Sequence, residues 1–73
     1  MDRVVFTFDT THHALWAEEV ARERDVPAEV VPAPPGANAR CDLALETFVA
    51  DHPRLAVALA EEGVPHGIFS LEG

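Results

Sequence analysis

Apolar and polar positions fall into six blocks along the chain. Arg3 to Phe8 (RVVFTF) is β-branched and aromatic and predicts a first strand. Asp9, Thr10 and Thr11 follow as helix N-cap candidates. A helix is predicted from there to about Arg24, with Ala14, Ala17, Val20 and Ala21 on one apolar stripe and Glu18, Arg22 and Glu23 opposite. Trp16 extends the apolar side, and Leu15 is expected to pack under a later proline loop. Asp25-Val26-Pro27 ends the helix, and Ala28 to Val31 predicts a second strand. Pro32, Pro34, Pro35 and Gly36 make 32–40 a loop. Asp42 to Thr47 predicts a third strand. Asp51 is the expected cap of a second helix, His52 to Glu62, with Pro53 in its first turn and Gly63 as its stop. Leu55, Leu59 and Val57-Ala58 are its expected apolar face. His66 to Leu71 completes the series as a fourth strand.

The order β-α-β-β-α-β is the split βαβ signature of an α+β, ferredoxin-like two-layer sandwich. It predicts a single domain, 1–73, with a four-stranded antiparallel sheet of order 4-1-3-2 and two helices on one face. The right-handed crossover brings Asp9, the first helix N-terminus, His12, His13, Cys41 and His66 to one end of the sheet. His52 falls at the other end in this reading.

Composition narrows the chemistry. Thirteen acids face five bases, for a formal charge of −8 in 73 residues. That balance repels phosphate backbones and anionic lipid, so neither nucleic acid nor membrane is an expected partner. The apolar run Leu55 to Ala60 is far shorter than the ~20 residues of a membrane span. Met1-Asp2-Arg3 leads straight into Val4 without signal-peptide features, so a reduced, cytoplasmic setting is expected. All five bases are arginine, which excludes a Schiff-base lysine.

The single cysteine, Cys41, excludes an internal disulfide and a CxxC pair. A helix N-terminus carries free N–H groups and partial positive charge, and both favour a nearby thiolate. Arg40 adds positive charge in this reading and Asp42 opposes it. The small residues of the preceding loop predict an unshielded sulfur. The competing reading takes Cys41 as a small buried hydrophobe. Adjacent helix residues such as His12 and His13 diverge by ~100°, so they do not form a short-spaced ligand pair, and neither metal nor cofactor is expected.

Phe6-Thr7-Phe8-Asp9-Thr10-Thr11-His12-His13-Ala14-Leu15, followed by Ala17-Glu18, resembles the opening of the small bacterial selenium/sulfur carrier protein-like domains. Val31-Pro32-Ala33-Pro34 and Cys41-Asp42-Leu43-Ala44-Leu45 are similar to that family's Pro-x-Pro stretch and its cysteine motif. Asp42 stands where the family commonly has glycine, and Pro35 where a basic residue is common. The resemblance implies a carrier rather than a turnover enzyme. Cys41 would accept sulfur or selenium from one protein and pass it to another, for example from a cysteine desulfurase-type donor. Thr10 and Thr11 would cradle the terminal atom, with His12, His13 and Arg40 in support. The alternative is a non-catalytic regulatory or interaction module, with Cys41 structural and homodimer pairing through sheet edges.

Overall fold

The computed structural model describes residues 2–37 and 41–70. In chain order the elements are β1 (Arg3–Thr7), α1 (Thr11–Glu23), β2 (Ala28–Pro32), a 3-10 turn (Pro35–Ala37), β3 (Leu43–Phe48), α2 (His52–Glu62) and β4 (Gly67–Ser70). The architecture is α+β, with all three strand pairings antiparallel. The sheet runs β2-β3-β1-β4, which reads β4-β1-β3-β2 from the opposite edge.

Strand ends shift from the sequence reading by one or two residues. Phe8 leaves the ladder yet stays buried. Pro32 joins β2 opposite Leu43, as an edge strand permits, because a proline with no N–H costs nothing on a side that faces no partner. β3 gains Phe48 and loses Asp42. Within the 32–40 loop, Pro35–Ala37 forms the 3-10 turn. Residue Leu71 of the expected fourth strand lies outside the described residues.

Register defines two faces. Val4, Phe6, Leu45, Val30 and Ile68 share one, since Phe6 pairs with both Leu45 and Ile68, and Leu45 with Val30. The buried residues of α1 (Ala14, Ala17, Val20, Ala21) and of α2 (Leu55, Ala58, Leu59) join Val4, Phe6 and Leu45 in one cluster. Both helices therefore cover this face. Val57 does not face inward as expected; it is 57% exposed. The run Leu55 to Ala60 is apolar all round, so hydropathy alone does not select its inner side.

Helix ends follow capping chemistry unevenly. Thr10 caps α1, its Oγ1 accepting from the His13 amide at 3.1 Å. Asp51 occupies the cap position of α2 but makes no side-chain cap bond; its carboxylate accepts from Arg54 at 2.7 Å instead. Gly63 ends α2 in the left-handed region at φ 78°, where a side chain would be strained. Arg24 ties the end of α1 to Glu61 and Glu62 of α2 at 2.9 and 3.4 Å. The hydrogen bond to Glu61, then that to Glu62, raises the guanidinium above its ordinary pKa.

The second face carries Val5, Thr7, Ala44, Glu46, Val31, Gly67 and Phe69. Val5 and Ala44 are fully buried there without a helix above them. The 3-10 turn lies close enough that a Cβ on Gly36 would come within 3.3 Å of the Phe69 ring. The proline-rich loop thus reaches over this face, and glycine is the residue that fits at the contact.

The two faces of α2 predict opposite outcomes for similar truncations. Leu59→Ala should destabilise the protein by about 2–5 kcal/mol, as buried leucines do. Val57→Ala should change stability by less than about 0.5 kcal/mol, as exposed positions do. Urea unfolding of both variants checks the assignment.

Candidate functional site

Cys41 sits just before β3, at the end of the sheet where α1 begins. Residues 41, 43 and 45 alternate onto the helix-covered face, which turns the cysteine side chain inward under α1. The expected unshielded sulfur is not found: Cys41 is 6% exposed and belongs to the core cluster. Strand parity from Leu45 back to Cys41 was the signal available for this, and the small residues of the loop pointed the other way.

Two polar groups meet the sulfur. The Leu43 amide donates to Sγ at 3.3 Å. The Thr11 hydroxyl lies 3.7 Å from Sγ, with either atom able to donate. Sulfur is a weak acceptor when neutral and a strong one when ionised. The Leu43 N–H donates to the sulfur, and the Thr11 hydroxyl is within reach to donate to it or to accept from its S–H.

The remaining expected residues divide. Thr10 and Thr11 are neighbours with separate tasks: Thr10 caps the helix, and Thr11 turns to the cysteine. His12 is exposed on α1, and its ring centroid lies 6.0 Å from His13 and 6.3 Å from Trp16. His13 is half-buried, and its Nδ1 has no hydrogen-bond partner among the described residues. Arg40 lies outside the described residues. Leu15 is 50% exposed, with Trp16 beside it at 36%; residues 38–40 of the loop expected to cover it lie outside the described residues.

Two histidines outside this group flank Phe6. His66 donates from Nδ1 to the Val64 carbonyl at 2.8 Å, and its ring centroid lies 5.5 Å from that of Phe6. His52 begins α2 at the far end of the sheet, yet its ring also reaches Phe6, at 5.6 Å. Both rings serve as packing on a buried phenylalanine. No group of three or more His, Cys, Asp or Glu among the described residues is arranged to hold a metal ion.

A family model described as "Putative Se/S carrier protein-like" matches residues 3–70. The chain belongs to this family. The match takes in every strand and helix, together with Thr11 and Cys41. No curated protein and no solved structure matches the chain. No helix among the described residues is long and apolar enough to cross a membrane.

The cap assignments separate two otherwise similar variants. Thr10→Ala should cost about 1 kcal/mol, the usual worth of a threonine cap bond. Asp51→Ala should cost less, because it removes only an exposed ion pair worth about 0–1 kcal/mol. Thermal unfolding of the two variants side by side reads the difference.

Proposed function

We propose that the chain is a single ferredoxin-like domain that relays sulfur or selenium on Cys41 between two protein partners in the cytoplasm. The observation that carries this reading is the meeting of the Leu43 amide and the Thr11 hydroxyl on the sulfur of the chain's only cysteine. Membership of the selenium/sulfur carrier-like family supports it.

The transfer balances without an added oxidant. The Cys41 thiolate attacks the outer sulfur of a donor persulfide. One S–S bond forms at Cys41 as the donor's S–S bond breaks, and the donor leaves as a thiolate. The proton lost from Cys41 is matched by one taken up on the donor. An acceptor thiolate then attacks the outer sulfur on Cys41 and restores the starting thiolate. Thr11 and the Leu43 amide hold the anionic sulfur, Thr10 keeps the first turn of α1 in place, and His12, His13 and Arg40 lie near enough in sequence to assist proton and charge balance. A sulfur this buried requires the partner to open the chain at the Cys41 edge during transfer.

Burial of Cys41 favours a second reading, in which the thiol is a core side chain and the domain is a non-catalytic interaction module. The edges of β2 and β4 would then serve to pair with a second copy or another protein.

Persulfide uptake separates the two readings. Offered a persulfide donor, the native protein should gain one sulfur, a mass increase of ~32 Da that is lost on reduction. Cys41→Ser should gain none. Thr11→Val should slow uptake about fivefold, the worth of one hydrogen bond, and Thr11→Ser should restore it. A native protein that gains no sulfur from a protein persulfide donor, although Cys41 is alkylated once denaturant exposes it, ends the carrier reading. The acidic chain should also show no DNA or RNA binding at moderate salt, a point that a fluorescence-anisotropy titration checks.

A further inference from the structure

The outer face of α1 carries apolar surface that the core does not use. Leu15 and Trp16 are exposed side by side, and with His12 and Glu19 they line an open hollow of about 330 Å³. Thr11 and Leu15 are one helical turn apart on the same side, as are His12 and Trp16. The hollow therefore begins one turn from the hydroxyl that touches the Cys41 sulfur.

Among the described residues, the unpaired charge on and beside α1 is acidic. Asp9, Glu19 and Glu23 are exposed on or beside α1 and form no ion pair among the described residues. Arg22, the basic residue within α1, is engaged by Glu18 at 3.7 Å. A larger hollow of about 490 Å³ lies between the end of α1 and the start of α2, away from Cys41, and its Arg24 and Arg54 are already paired with carboxylates of this chain. Among the described residues, the α1 hollow combines exposed apolar surface, an aromatic ring, an unpaired carboxylate and proximity to the cysteine.

We propose that this face of α1 docks a basic surface of the sulfur partner, with an arginine side chain laid over Trp16 and its guanidinium on Glu19. The proposal rests on the carrier reading and names what that partner must present. An arginine stem covers Leu15, its planar head stacks on the indole, and Glu19 accepts its N–H groups. A second copy of this chain is the wrong occupant, because two surfaces of a −8 chain repel.

Trp16 is the only tryptophan and the chain has no tyrosine, so intrinsic fluorescence reports on the hollow directly. A hexa-arginine peptide should shift Trp16 emission saturably, and calorimetry should give the same affinity, weakening as salt is raised. Glu19→Lys should weaken binding about tenfold, the combined loss of a carboxylate partner and a favoured cation–aromatic contact. Glu29→Lys makes the same charge change on β2 and should alter binding less than about twofold. Equal losses in the two variants would mean attraction to net charge alone and would overturn the site. Self-association in sedimentation that disappears in Trp16→Ala would give the hollow to a second copy and would also overturn it. The peptide carries no sulfur, so the two proposals fail separately. Absent peptide binding with intact persulfide uptake removes the docking face alone. Site-specific binding by a protein that takes up no sulfur leaves a docking face for basic proteins and removes the carrier reading.

Discussion

Three alanines set the distance between α1 and the sheet. Ala14, Ala17 and Ala21, with Val20, form the buried side of that helix, and none has a side chain long enough to hold the backbone away. The helix therefore rides close to β2 and β3, which it contacts directly. The close approach lets Thr11, at the first position of α1, come within 3.7 Å of a sulfur at the start of β3. A helix with leucines at these positions would stand further off and leave Cys41 without its hydroxyl neighbour. The bulk that α1 lacks comes from elsewhere, through Phe6, Leu45, Leu55 and Leu59, all fully buried. Small residues of α1 give the close approach to β2 and β3, and the larger side chains supply the apolar volume.

The loop before Cys41 has a corresponding task on the other face. A sheet with both helices on one side leaves its second side to water, yet Val5 and Ala44 are buried there. Phe69 pairs beside Val5, and the 3-10 turn at Gly36 closes onto its ring. The same segment that leads to the cysteine thus begins by packing on the opposite side of the sheet. Its described ends lie on opposite faces, at Phe69 and under α1.

Legibility from sequence followed how strongly each residue's surroundings are local. The α1 stripe was readable because alanines and a valine repeat at helical spacing against a charged side. The α1 cap was readable only to within three residues, because Asp9, Thr10 and Thr11 sit together just before that stripe. The α2 face was not, because Leu55 to Ala60 offers no polar contrast and Val57 looks the same as Leu59. The burial of Cys41 depends on strand parity carried across the start of β3, which the adjacent proline loop obscured. The contact of His52 with Phe6 depends on side-chain reach over the sheet, which topology does not specify.

Burial and reactivity at Cys41 need not oppose each other. A core cysteine with no polar neighbour is favoured as the neutral thiol, since charge in an apolar site is costly. Here the sulfur meets an amide N–H and a hydroxyl, so it has polar partners inside the core. On the proposed carrier reading, the same arrangement would protect a transferred sulfur: a persulfide held under α1 would be shielded from water and from small thiols until a partner reached the edge. For a carrier, that shielding matters as much as nucleophilicity, because a freely exposed persulfide would lose its cargo to the first thiol that met it. The burial that argues for a core role is, on this account, what keeps the cargo on the protein between encounters.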